Sequence, residues 1–307
     1  GYSKSSYRMN LTQKVGKFLD LALNSNYIES VANRGFFNND NTSTTLGVSF
    51  VSTPSWANLY ADANGNYPNN PFAPSNFLQT RDLVTNKEKV NRMLLGGSAT
   101  WNVLKNDRHD LKVIVRGGID YYTLNTIAIF PQELQFQKNG NGTNGVSVYG
   151  TTITRNSNYN LFAVYDLQLN TKMSLRSQIG FTEENININN VLTTATQLIG
   201  TQTNTNQAGA VQVDQARALQ KDRGFFVQEE FNYNDIVIAT VGLRGDKSSR
   251  NGDANKLYYY PKASAAVNVH QMGFWKFDKI SQLKLRAAYG QSGNFAPFGA
   301  IYKLLVP

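Results

Sequence analysis

Reactive chemistry in this chain would have to come from very few side chains. The 307 residues contain no cysteine and only two histidines, His109 and His270. Disulfides, thiolate nucleophiles and thiolate metal sites are therefore excluded, and imidazole acid–base work has little to draw on. His109 falls in a predicted hairpin turn beside Asp107 and Asp110, and His270 at the end of a predicted strand. A Ser/His/Asp triad is a claim about geometry, and no spacing here supports one; no catalytic residue is assigned, and the chain is not read as an enzyme. Gly140-Asn-Gly-Thr-Asn-Gly145 matches the letters of a dinucleotide fingerprint. That fingerprint needs a strand before it and a helix after it, whereas this one leads from an Asn/Gly-rich stretch into strand-like residues, so it reads as a flexible loop. Asp62-Ala-Asn-Gly-Asn66 opens like a calcium loop, but Tyr67 and Ala73 stand where an EF-hand needs Gly and Glu. A turn-rich loop is the reading, with a looser calcium site as the alternative. No metal centre and no cofactor are assigned.

Binding residues are easier to nominate. Trp56, Tyr60, Tyr67 and Phe72 share one long connection, the kind of segment that carries specificity. Their rings offer faces that stack on sugars, or else pack the loop against its support. They are the candidate substrate-binding residues.

The elements that would position these groups are strands. In Ser281–Asn294, Leu283, Leu285, Ala287 and Tyr289 fall on one parity and Gln282, Lys284, Arg286 and Ala288 on the other, which places one set on each face of a β-strand. Asn158–Leu169 sets Tyr159, Leu161, Ala163, Tyr165 and Leu167 against Asn158, Asn160, Asp166 and Gln168. Leu111–Tyr121 and Met93–Val103 repeat the pattern, and further candidates lie at Tyr7–Val15, Leu19–Tyr27, Met173–Phe181, Phe225–Tyr233, Ile236–Arg244 and Tyr259–Val269. That makes about ten strands. Asp214–Leu219 is the nearest thing to a helix and is too short to stand alone.

Connections separate a barrel from a sandwich. Short turns rich in Asn, Asp and Lys ("NTK" at 170–172, "NYND" at 232–235, "KNDRHD" at 105–110) alternate with long stretches at Gly35–Val90, Ala128–Asn156, Asn185–Asp222 and Asp246–Leu257. In an up-and-down barrel successive connections lie at opposite ends, so one end is trim and the other elaborate, the asymmetry of a bacterial outer-membrane barrel. No apolar run is long enough for a transmembrane helix, and mean hydropathy is −0.40, but a spanning strand needs only alternate apolar residues. The alternating faces then meet lipid and a hydrated lumen, with Asn160, Asp166, Lys284 and Arg286 expected to face the lumen and Tyr121, Tyr165, Phe181 and Tyr289 to form interfacial girdles. Glu229 shares parity with Val227 and Phe231, so it should lie beyond the membrane band or follow a bulge. The formal charge of +9 is spread one or two residues per strand, which argues against nucleic acid as a partner.

Four ordered motifs in the last third carry a resemblance: "FNYND" at 231–235, "VGLRGDKSSRNG" at 241–252, "YYYPKASAAVNV" at 258–269 and "LKLRAAYGQSGN" at 283–294. Together they resemble the SusC/RagA-like TonB-dependent outer-membrane transporters, well over Gly224–Asn294 and loosely over Tyr7–Asn125. Lys247 replaces the glycine usual before the paired serines, at a position read as loop. The resemblance implies an integral outer-membrane protein with a 22-stranded barrel and an N-terminal plug. It further implies a SusD-like lipoprotein lid, energy from TonB-ExbB-ExbD through the plug, and an oligosaccharide (glycan) or peptide as substrate. Outer-membrane lipid and LPS would surround the wall. The chain shows no plug-like segment and no terminal aromatic after "KLLVP" at 303–307, so residues 1–307 are expected to be part of the barrel domain, with plug and barrel C-terminus not present. Gly1–Tyr7 lacks the apolar core of a signal peptide. The expected function is active nutrient import. A passive porin and a soluble β-rich carbohydrate-binding protein or adhesin are the alternatives, the first distinguished by lack of a plug upstream and the second by solubility without detergent.

Overall fold

The computed structural model describes residues 1–37, 42–138, 144–276, 279–297 and 299–300. Ten strands run through them: β1 Tyr2–Val15, β2 Leu19–Asn33, β3 Thr85–Lys105, β4 His109–Phe130, β5 Val146–Asn170, β6 Met173–Leu198, β7 Ala208–Tyr233, β8 Val237–Ser248, β9 Tyr258–Asn268 and β10 Lys284–Gly290. They form one sheet in chain order, each strand antiparallel to the next. Among the described residues no second sheet packs on it, and it stays open between β1 and β10. The expected meander is therefore present, as part of a wall rather than a closed ring.

The trim end is built from residues that tolerate tight turns. Between β7 and β8, Asn234 and Asp235 both take positive φ, 51° and 56°, and Ile236 N–H donates to the Tyr233 carbonyl at 2.9 Å. This is the mirror-image turn whose twist suits a hairpin, and Asn and Asp are the non-glycine residues that enter that region most readily. Asn170 Oδ1 accepts from Lys172 N–H at 2.9 Å to close the β5–β6 turn, and Asn106 Oδ1 accepts from His109 N–H at 2.8 Å between β3 and β4. Because each strand reverses direction, these turns share one end, and the connections 34–84, 131–145, 199–207 and 249–257 share the other.

Several expectations change. Asn185–Asp222 is no long loop: β6 and β7 continue as paired strands to Leu198 and from Ala208, leaving only 199–207 between them. Asp214–Leu219 is strand within β7, not helix. Among the described residues three short α-helices occur instead in the elaborate end, α1 Leu46–Val51, α2 Phe77–Leu83 and α3 Gln135–Lys138, with a 3-10 turn at Thr205–Gln207. Lys247 belongs to β8. The trim end also carries one longer link, 269–283. Glu229 sits opposite Ser177 and Val241 with no register shift nearby, flanked on its face by Val227 and Phe231, so neither a bulge nor a place beyond the apolar stretch accounts for it. The stretches 140–143 and 303–307 lie outside the described residues.

Among the described residues the sheet has no apolar core. The buried hydrophobic residues there are Leu59, Ala73, Leu134, Ala195 and Leu198, the first three of which belong to the long connections. On the sheet, Val115, Ile179, Val227, Val241 and Leu285 are all more than half exposed. A sandwich buries such a face against another sheet; here it stands open, as a lipid-facing wall requires.

Candidate functional site

Hydrogen-bond register sorts the strand residues onto two faces. Asn160 stands in line with Arg116 on β4, Thr182 on β6, Gly224 on β7 and Asp246 on β8. Asp166 stands in line with Asp110, Arg176, Glu230, Thr240 and Ser264. Ser264 shares its parity with Ala266 and Asn268, which pair Arg286 and Lys284. The four residues nominated for the lumen thus lie on one face, and Leu161, Ala163, Tyr165, Leu285 and Ala287 lie on the other. The polar face carries ion pairs between neighbouring strands: Arg92 forks onto Asp120 at 2.8 and 2.5 Å, and Arg176 reaches Asp166 at 2.5 Å. Lys284 and Arg286 form no ion pair among the described residues.

Aromatic rings interrupt this polar face, and the parity rule alone did not select them. Phe162 and Phe226 approach across Gly180 with centroids 5.9 Å apart. A Cβ at Gly180 would lie 2.2 Å from the Phe226 ring and 2.8 Å from Phe162, so the glycine is what lets the two rings lie against the wall. Arg116 sits 6.0 Å over Phe162. Beside them a cavity of about 340 Å³ is lined by Gln178, Phe226, Gln228, Tyr260, Lys262 and Gln291. A second, of about 190 Å³, lies among Asn158, Asn160, Thr182, Asp222, Arg244 and Phe295. Planar amides, guanidinium and ring faces together suit a polar ligand with apolar faces. The legible signal was Phe162, an aromatic between Asn160 and Asp166 on the polar parity.

The "RGDKSSR" stretch has a structural task here. Arg244 Nε reaches both Asp246 oxygens at 2.8 Å, and the pair lies across Gly224, where a Cβ would come within 2.3 Å of Arg244 Nη2. Ser248 Oγ donates to Asp222 Oδ1 at 2.5 Å and Arg250 Nη2 to Asp222 Oδ2 at 2.7 Å. Ser249 N–H donates to the Lys221 carbonyl at 2.9 Å. The motif ends the β7–β8 ladder and turns the chain away from β7. Phe295 then covers Arg250, 5.2 Å from its guanidinium.

The long connections are held by a buried amide network. Asn76 Oδ1 caps α2 by accepting from Leu78 and Gln79 N–H, while its Nδ2 donates to the Leu59 and Pro68 carbonyls. Gln79 and Gln135 join two connections: Gln135 N–H donates to Gln79 Oε1 at 2.9 Å, and Gln79 Nε2 to the Glu133 carbonyl at 2.8 Å. On this scaffold Trp56 meets Phe72 edge to face at 5.1 Å, and Trp56 is 75% exposed. Tyr67 is held elsewhere, its hydroxyl donating to Asp82 Oδ2 at 2.6 Å. Tyr60 is exposed and makes no ring contact among the described residues. The structure therefore joins two of the four nominated aromatics and leaves the other two apart. Arg81 beside Asp82, with the Tyr67 hydroxyl second, holds that carboxyl below the usual range, and the same bond pushes the Tyr67 phenol up. In the calcium-like stretch, Asp62 Oδ1 accepts from Asn64 and Asn66 N–H, with Gly65 at φ +82°. That carboxylate closes a turn.

A family model described as TonB dependent receptor-like, beta-barrel matches residues 13–304. The chain is 40% identical over 73 residues to TonB-dependent receptor P26 of Formosa agariphila, which is 24% of this chain and 7% of that protein. Among solved structures, the RagAB peptide transporter superposes with a TM-score of 0.72 at 15% identity, over 94% of this chain and 32% of that one. The open-open state of the RagAB peptide importer gives the same score, identity and coverage. At that identity the likeness is one of fold. The chain spans about a third of the solved neighbours' length and a much smaller share of the curated relative's.

Proposed function

The chain belongs to the TonB-dependent receptor-like β-barrel family, and from that premise we propose that it is part of the wall of an integral outer-membrane transporter that actively imports a nutrient. Residues 1–307 supply barrel strands, while the plug and the remaining strands lie elsewhere in the protein. The carrying observation is the single antiparallel sheet with one open apolar face and one ion-paired polar face. In this reading the polar face, with Asn160, Asp166, Lys284 and Arg286, lines the lumen. The elaborate end lies outside the cell, where Trp56 and Phe72 meet substrate first, with Tyr60 and Tyr67 further contacts on the same connection. The substrate is an oligosaccharide or a peptide; the solved neighbours are described as a peptide transporter and importer, which supports the second. A SusD-like lipoprotein covers the outer mouth, and TonB-ExbB-ExbD drive the plug. No bond of the substrate is made or broken.

The test is uptake in the native cell with labelled oligosaccharide and peptide mixtures. Deleting the gene should abolish uptake of one class, and so should deleting TonB. Uptake that survives loss of TonB would convert the reading to a passive porin. Recovery of the full-length protein in the soluble fraction would overturn membrane residence.

A further inference from the structure

The apolar face does not stay apolar to the ends of its strands. On β6 its residues run Met173, Leu175, Ser177, Ile179 and Phe181, then Glu183, Asn185, Asn187 and Asn189. Nine residues from Met173 to Phe181 are about one hydrocarbon crossing, so Glu183 and its row stand at the height of the outer lipid headgroups. Register places Tyr159, Glu183, Arg223 and Lys247 in that row, with Ser157, Asn185 and Lys221 in the next and Arg155, Asn187 and Leu219 above. Rows on one face are about 7 Å apart and strands about 4.8 Å, so Arg155 and Lys247 stand about 20 Å apart at the backbone with Lys221 and Arg223 between them, a span that long side chains reaching inward close around a headgroup bearing two phosphates. Arg217 follows one row higher, opposite Asn189. Glu183 is the acid of this surface, taking Arg223 at 2.6 Å and Lys221 at 3.2 Å. Arg155 and Lys247 form no ion pair among the described residues. A cavity of about 480 Å³ opens here, lined among others by Arg155, Ser157, Tyr159, Asn187 and Lys221. Directly below stand Leu161, Phe181 and Phe225, with the last two rings 5.0 Å apart.

We propose that this surface of β5–β8 binds the phosphate groups of an outer-leaflet glycolipid, whose acyl chains lie on the apolar face beneath. The inference rests on the barrel reading above. An excess of cations against one carboxylate matches an anion, and its position immediately above the apolar band selects a lipid-borne one. Lys247, the residue that departs from the family pattern, adds a charge to the cluster.

The experiment uses the full-length protein in neutral phospholipid nanodiscs. It measures binding of a bis-phosphorylated diglucosamine lipid, its dephosphorylated counterpart and inorganic phosphate. The triple variant Arg155→Gln/Lys221→Gln/Lys247→Gln should bind the phosphorylated lipid roughly a hundredfold more weakly, since each basic side chain at an anionic lipid surface contributes about a factor of five. Dephosphorylation should weaken binding to the wild type comparably, and added salt should weaken the phosphorylated lipid alone. Equal binding by wild type and variant, or by the two lipids, overturns the proposal. So does displacement of the lipid by inorganic phosphate at low millimolar concentration, which would make this a free-anion site. Should the triple variant fail to fold, Arg155→Gln alone decides, with about a fivefold loss expected and no loss refuting. A wild type that does not enter nanodiscs at all refutes the barrel reading, whereas one that enters but ignores lipid phosphate refutes only this site.

Discussion

Replacing Ala163 by arginine puts the assignment of faces to a direct test. Ala163 pairs with Val113 on β4 and Ile179 on β6, and Ile179 is 58% exposed. It lies four residues below Tyr159, and its partner Ile179 lies six residues above Met173 at the trim edge. At about 3.4 Å per residue and a tilt near 40°, it stands roughly 10 Å from the upper edge of the apolar band and about 16 Å from the lower, near its middle. An arginine at the lipid-facing midplane costs about 2–4 kcal/mol. Gln178→Arg is the control: one residue from Ile179, it faces the other way, between Val164 and Gln228. In water its cost should stay within about 0.5 kcal/mol. The assay is equilibrium urea unfolding of the full-length protein in thin-bilayer vesicles. Equal costs at the two positions, or a larger one at Gln178, would reverse the faces and remove the lumen from Asn160, Asp166, Lys284 and Arg286.

Gly224→Ala should push the Arg244–Asp246 pair aside, because its Cβ would press on Arg244 Nη2, Asp246 Oδ1 and Thr182 Oγ1; these are ends of side chains that can swing away, so the cost should stay near or below about 1 kcal/mol, and a urea midpoint shift worth more than about 3 kcal/mol would refute that packing. Asn76→Ala removes a helix cap and leaves the Leu59 and Pro68 carbonyls without their donor. It should loosen residues 53–84 by about 2 kcal/mol, read as faster amide exchange there while the sheet stays protected. Asp82, its carboxyl depressed by Arg81 and Tyr67, contributes stability above the ordinary aspartate range that is lost as pH falls through its lowered value. Exchange in α2 should therefore quicken on acidification in the wild type and change less in Asp82→Asn. Alanine at both Trp56 and Tyr67 should weaken substrate binding about tenfold with the barrel intact; unchanged affinity by calorimetry would return both rings to packing.

Strands were legible where the two sides of the sheet meet different solvents. Leu161, Ala163 and Tyr165 against Asn160 and Asp166 is the alternation that any strand with one apolar and one wet side must keep. Above Phe181 that condition ends. Ile186 and Ile188 stand on the polar face, with Asn185, Asn187 and Asn189 on the other; in the proposed barrel both faces are wet at that height. Residues 185–198 and 208–222 therefore read as loop, although backbone pairing continues through them. The short helices escaped for another reason: α1 and α2 have six and seven residues, below the length at which periodicity shows, and tertiary bonds such as those of Asn76 hold them.

The candidate site was legible by parity and illegible by contact. Asn160, Asp166, Lys284 and Arg286 were chosen because alternation put them opposite the apolar set, and register does the same. Alternation does not say that Gly180 and Gly224 are cradles for side chains from other strands, since both read as weak strand residues. It also treats an aromatic on the polar parity as noise. Phe162 and Phe226 are the counterexample: each breaks its strand's pattern, and each break falls in the same row, across the same glycine. One violation in one strand is uninformative, but two that coincide in register mark a place where the polar wall offers ring faces. The same comparison applies to the other side of the sheet. There Arg155, Lys221, Arg223 and Lys247 are scattered over 93 positions of sequence, and only the register of β5–β8 gathers them into one cationic surface above the apolar band.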